Sequence, residues 1–163
     1  MPMREEVYNT LLSWIMEGEL RPGEKLLDKE LATPEAMEHL TEKDFKEMTQ
    51  ANNLLRKALE NLDPVQASIA DVEFHDVFIQ RSANPHLIAI LGDLQIKYRR
   101  LEVTCFEGCA GANQSADEHD QILEALQSEN IPLAQSLIRS NWQNSLQRLE
   151  NIYTFDSAHK KTS

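Results

Sequence analysis

Apolar residues recur every three to four positions through most of this chain, and nowhere do apolar and polar residues alternate as they would along a strand. The pattern therefore predicts an all-α protein. Val7, Leu11, Leu12 and Ile15 mark a first amphipathic helix from about Arg4 to Glu17, with Gly18 placed to end it and Pro22-Gly23 to turn the chain. A short helix over Asp28 to Ala32 follows, interrupted by Pro34. Thr41 then stands before Glu42 and Asp44, a hydroxyl cap with acids in the first turn. Phe45, Met48, Leu55, Leu59 and Leu62 continue the stripe of the helix it opens. Asp63-Pro64 is a cap followed by proline at the first helical position, opening a helix to about Ser82; Asn84-Pro85 repeats the device for a helix to about Glu107. The stretch from Gly108 to Asn113 reads as a loop, and Ser115-Ala116-Asp117-Glu118 as a capping box that launches a helix through Gln127. After Asn130, Pro132 begins a last helix with Leu133, Leu137, Ile138, Leu146 and Leu149 as its apolar residues, and a polar tail runs from Asp156 to Ser163. Short connections between helices imply an up-and-down antiparallel bundle.

Composition narrows the class. A chain of 163 residues holds one sizeable core, or one core and a small appendage, and its 5 glycines and 6 prolines leave room for long regular elements. No apolar run reaches the length of a membrane span, and the first residues lack the basic-then-apolar order of a secretory signal, so the expected location is cytoplasmic. Cys105 and Cys109 are too few for a disulfide framework. Their spacing permits a metal or redox pair, against which stands the usual behaviour of helical cysteines as small buried hydrophobes. The formal net charge of -11, from 16 basic and 27 acidic residues, opposes binding to a phosphate backbone, and no basic run offsets it.

Asp71 and His75 are one helical turn apart on the same face, so a carboxylate oxygen and an imidazole nitrogen can converge on one ion; the same spacing also suits a plain helix-surface pair. Ile69, Val72, Phe74 and Phe78 around them point to a buried helix, where such polar groups need a partner, and a metal ion is one. His119, on a later helix, can supply a third ligand. His39, His86 and His159 have no companions at ligand spacing, and Trp142 reads as a packing residue at a helix interface. Glycine-rich phosphate loops and nucleophile elbows do not occur.

Two stretches carry a family resemblance. Asp71-Val72-Glu73-Phe74-His75, Asn84-Pro85, the run from Glu118-His119-Asp120 to Leu126, and Ala134 together resemble the FCD domain, the C-terminal effector domain of the FadR subfamily of GntR transcription regulators. Upstream, Tyr8, Leu11, Ile15, Gly18, Leu20, Pro22-Gly23-Glu24, Leu26 and Glu30-Leu31-Ala32 resemble the opening of the GntR winged helix-turn-helix. The resemblance implies a divalent metal of zinc, nickel or manganese type held by Asp71, His75 and His119. At the fourth ligand position, a histidine in the family, this chain has Asn141, a poorer donor than imidazole for such ions. It also implies a small organic acid as effector, for which Arg99 and Arg100 are candidate carboxylate clamps, since guanidinium pairs bidentately with carboxylate. It further implies a homodimer.

The chain departs from the family in one large respect. Between the Leu-Ala motif and Thr41, family members carry a recognition helix, a two-stranded wing and another helix. Here residues 33–40 fill the gap, enough for about two turns at about 1.5 Å per residue. The expected organisation is thus a remnant of the DNA-binding domain over 1–33, an FCD-like effector and metal-binding bundle over 34–155, and a disordered tail over 156–163. The expected function is that of a regulator or regulator-derived sensor with impaired DNA binding. The alternatives are a heterodimerising modulator of a full-length relative, or a metal-dependent hydrolase, for which no separate general base or nucleophile is in evidence; catalysis is not expected.

Overall fold

The computed structural model describes residues 36–83 and 111–159, with scattered positions between 85 and 107. All regular structure among the described residues is helical, as the apolar periodicity requires. The stretches read as an N-terminal helix, a turn and a short helix lie outside the described residues, as does the whole of the 1–33 remnant.

Helix α1 spans Glu42–Glu60 and begins as its sequence dictates. The Thr41 hydroxyl accepts from the Asp44 backbone N–H at 3.4 Å, while Asp44 Oδ2 accepts from the Thr41 backbone N–H at 2.8 Å and from its hydroxyl at 2.7 Å. Helix α2 spans Pro64–Arg81, capped by Asp63 Oδ1, which accepts from the Gln66 backbone N–H at 3.0 Å, with proline in the first turn. The described positions from 85 to 107 are helical. Helix α3 spans Ala112–Gln127 and helix α4 Ile131–His159. Helix α1 packs against α2 and α3, and α3 against α4.

Asp44 ties the start of α1 to the end of α2. It is 1% exposed, and its second oxygen accepts from Arg81 Nε at 3.0 Å and Nη2 at 2.8 Å. Burial by itself would raise the Asp44 carboxyl pKa, but the hydrogen bonds from Thr41 and Arg81 outweigh it and hold the pKa below the ordinary carboxylate value. Arg81 keeps nearly half of its side chain in water, so most of the cost of desolvation falls on Asp44. Because the folded state holds the proton more weakly than the unfolded chain, this stabilisation is fully present above the unfolded value near pH ~3.9 and disappears as pH falls through the lowered folded value. Asp44→Asn is expected to cost about 1.5–3 kcal/mol at neutral pH, with the gap to the parent protein closing in denaturant titrations carried out below about pH 4.

The core forms between the helices. Phe74, Phe78, Met48, Leu55, Ile122 and Leu126 are fully buried, and Ile79 and Ile138 nearly so. Trp142 packs partly buried against this cluster. A second cluster is built from Ala58, Ala67, Ala70 and Ala116 around Leu55, small side chains that let the backbones of α1, α2 and α3 approach closely.

Four sequence expectations are corrected. Helix α3 starts at Ala112, capped by Gly111 with no side-chain hydrogen bond, so residues 112 and 113 are not loop and the Ser115–Glu118 box lies inside the helix. Leu62 is not on the apolar face of α1: the helix ends at Glu60, and Leu62 adopts φ 55° with 87% of its surface exposed. The Asp63 N–H reaches the Ala58 carbonyl at 2.9 Å and the Leu62 N–H the Leu59 carbonyl at 3.1 Å, a Schellman closure made here without glycine. Leu133 is 45% exposed, and Ala134 beside it is the buried residue. Finally, residues 156–159 continue α4 instead of beginning a tail.

Candidate metal centre

Helix α2 presents Asp71, Phe74, His75 and Phe78 along one stripe, the i, i+3, i+4, i+7 face that meets α1 and α3. Helix α3 brings His119 to the same place. The imidazole nitrogens of His75 and His119 and a carboxylate oxygen of Asp71 offer ligand atoms all within 4.8 Å of one another. His75 is 3% exposed and His119 0%. The Asp71 side chain is 18% exposed, so the cluster opens to water on the carboxylate side.

Aromatic contacts fix both rings. Phe74 stacks on His119 with centroids 3.9 Å apart and an interplanar angle of 1°. The His75 ring stands edge-on to His119 at 4.9 Å and 89°, and edge-on to Phe74 at 5.3 Å and to Phe78 at 5.8 Å. Tilting His119 would break the stack, so the plane of its ring is fixed.

One of these nitrogens meets Asn52 of α1. His119 Nδ1 lies 3.1 Å from Asn52 Oδ1, and Asn52 Nδ2 donates to the Ala116 carbonyl at 2.9 Å and to Asp120 Oδ1 at 2.7 Å. The other nitrogen, Nε2, is buried, lacks a hydrogen-bond partner and stands 3.3 Å from Asp71 Oδ1. Two ligands bound at about 2.1 Å to one ion can be at most about 4.2 Å apart. The Asp71–His119 pair, at 3.3 Å, already satisfies that bound, and every separation in the cluster lies within 4.8 Å. A buried imidazole nitrogen facing a carboxylate without a hydrogen bond is a donor set that suits a divalent cation of borderline softness.

Asn141 of α4 is 5% exposed, and its Nδ2 donates to Glu118 Oε2 at 2.7 Å, so its amide nitrogen is committed. Glu118 Oε1 accepts from Asn144 Nδ2 at 2.8 Å and from Arg148 Nη1 at 3.3 Å, and Arg148 Nη2 donates to Ser115 Oγ at 2.9 Å and Ser145 Oγ at 3.0 Å. This is where the Ser115 and Glu118 side chains go: they join α3 to α4 instead of capping α3. The stem of Arg148 lies over Gly111, where an added Cβ would meet its Cδ at 3.4 Å. Arg99 is exposed and Arg100 lies outside the described residues, as do Cys105, Cys109 and His86. His39 is exposed.

Sequence reasoning missed Asn52, Phe74 as a stacking wall, and the Arg56 brace. Arg56 Nη1 donates to Asp117 Oδ1 at 2.9 Å and Nη2 to Asp120 Oδ2 at 2.5 Å. The hydrogen bond to Asp117, opposed by burial and reinforced by Asp120, raises the Arg56 pKa further above its already high value. The signal for Asn52 was present: it interrupts the stripe of Phe45, Met48, Leu55 and Leu59 at a position where an apolar residue would sit.

Comparison with known proteins agrees with this architecture. Residues 26–144 match the family described as the FCD domain. A solved structure of E. coli McbR/YncC is similar, with a TM-score of 0.69 and 20% sequence identity over 79% of this chain. The chain spans 62% of that protein's length. No curated relative matches the sequence. Among the described residues, no helix is long and apolar enough to cross a membrane.

Proposed function

Since the chain belongs to the FCD domain family, we propose that it is the effector-sensing part of a GntR/FadR-type transcription regulator, holding a divalent cation at Asp71, His75 and His119 with a small organic acid beside it. Family membership groups it with regulators and not with enzymes. The observation that carries the reading is the convergence of three ligand atoms from two helices on a buried point, with His119 Nε2 lacking a hydrogen bond there. When bound, the ion would supply positive charge to which a carboxylate oxygen of the effector can bind.

Two imidazoles and one carboxylate suit zinc, nickel or manganese-type ions. Asn141 would enter only through its carbonyl oxygen, since its nitrogen serves Glu118, which makes the fourth donor weak and leaves coordination positions for an exogenous oxygen. Arg99 and Arg100 are the proposed carboxylate clamps. The protein is proposed to act in the cytoplasm as a homodimer, or in a heterodimer with a full-length relative, and not to bind DNA by itself: the charge balance opposes it.

Equilibrium dialysis of the whole chain against zinc, nickel and manganese, followed by elemental analysis, tests the reading. One cation retained per chain is expected, together with calorimetric binding of small di- and tricarboxylates only in the loaded protein. Retention of none of the three ions would remove the metal and, with it, this account of effector binding.

A further inference from the structure

The metal reading leaves open what makes His119 ready to bind. A neutral imidazole carries one proton and one lone pair, and only the nitrogen with the lone pair can take an ion. Two acceptors compete for the proton on His119: Asn52 Oδ1, 3.1 Å from Nδ1, and Asp71 Oδ1, 3.3 Å from Nε2. A carboxylate is the stronger acceptor in isolation. If Asp71 won, Nε2 would be blocked and the lone pair would point at Asn52.

The surroundings of Asn52 decide the competition. Both of its amide hydrogens are already directed to acceptors, the Ala116 carbonyl and Asp120 Oδ1. Turning the amide over would set its oxygen against those two oxygens and leave both without their donor. Asp120 is itself held by Arg56, at Oδ2. Asn52 is 2% exposed, so water does not offer an alternative partner. With the amide fixed, a proton on Nε2 would leave two lone pairs facing each other across 3.1 Å in a dry interior, a buried mismatch with no relief. Asp71 is largely buried too, but its side chain keeps 18% of its surface exposed while Asn52 is 2% exposed, so water can reach its carboxylate in place of the His119 proton and cannot reach the Asn52 amide.

We infer that Asn52, clamped by the Ala116 carbonyl and the Arg56–Asp120 pair, is the positioning residue that keeps the His119 proton on Nδ1 and so presents Nε2 as a bare lone pair to a divalent cation. The inference rests on the metal reading above for its purpose, but not for its geometry. Asn52 never touches the ion; it acts through the ring, as outer hydrogen bonds to ligand histidines do generally.

Long-range nitrogen–proton NMR of the imidazoles in the whole, metal-free chain in slightly alkaline buffer reads the tautomer directly. His119 is expected to show a protonated Nδ1 and a bare Nε2. Asn52→Leu is expected to lose that signature and to bind zinc about 10–100-fold more weakly in a chelator competition. A spectrum with the proton on Nε2 in the unaltered chain overturns the inference, and it needs no variant to fold. So does unchanged zinc affinity in a folded Asn52→Leu protein. A chain that takes up no cation would instead remove the metal reading, while the proton position on His119 still judges Asn52 separately.

Discussion

Asp71→Ala is expected to weaken divalent-cation binding by more than about a hundredfold, beyond the range seen when only an outer hydrogen bond to a ligand is lost. The reason is charge. Of the three clustered side chains, Asp71 alone contributes an anion; the two histidines bind as neutral rings, and the coordinated ion would otherwise hold its full charge in a pocket walled by Phe74 and Phe78. Asp71 is only 18% exposed, so its truncation also removes a largely buried side chain and costs some stability of its own. Thermal melts separate the two effects. At a cation concentration of a hundred times its dissociation constant, binding stabilises the parent protein by about 2.7 kcal/mol. For a chain of this size that raises the melting temperature by about 5–10 °C. Asp71→Ala should show no such rise; a shift equal to the parent's would mean that the ion binds elsewhere.

Phe74→Ala is expected to cost about 3–5 kcal/mol, the range for truncating a fully buried aromatic ring. Phe74 is 0% exposed and belongs to the main core cluster, so the cavity would open at the junction of α2 and α3. It is also the flat wall on which His119 rests. The variant should therefore lose metal affinity as well as stability, because the ring gains freedom to swing away from Asp71. Phe74→Leu, nearer in volume, is expected to cost less than about 1.5 kcal/mol. Chemical denaturation monitored by circular dichroism checks both figures. A loss under about 1 kcal/mol for Phe74→Ala would mean that the core closes over the gap, against the packing described here.

What could be read from residue order and what could not divide along a physical line. Local signals worked. The Thr41 box and the Asp63-Pro64 start are hydrogen-bond devices completed within four residues, so the sequence contains all the partners. The Asp71–His75 spacing likewise fixes a shared helix face, although not what lies opposite it. Signals whose partners are distant in sequence misled or stayed silent. Ser115 and Glu118 have the spacing of a capping box, yet Arg148, Asn141 and Asn144 of α4 claim their side chains, and α3 starts a turn earlier. Leu62 matches the apolar period of α1, but the helix has closed before it. Its left-handed backbone carries no glycine to announce the stop. Asn52 read as one polar residue in an apolar stripe. Only the placement of α3 against α1 reveals that it faces a histidine.

Asn141, at the position where the resemblance implies a fourth ligand, gains meaning from the same geometry. Its amide nitrogen donates to Glu118, and the α3–α4 interface is joined by a polar network of Glu118, Asn141, Asn144 and Arg148. Glu118 and Arg148 are largely buried, with side chains 16% and 10% exposed, which makes this network a determinant of how α4 sits on α3. Coordination at the site would then depend chiefly on α2 and α3.

X-ray absorption at the metal edge of the zinc-loaded chain examines that arrangement most directly. The expected spectrum has two imidazole nitrogens and carboxylate oxygen at about 2.0–2.2 Å, with further oxygen scatterers completing the shell. A sulfur scatterer at about 2.3 Å would move the ion to the cysteines, and a shell without imidazole would leave His75 and His119 as ordinary core residues.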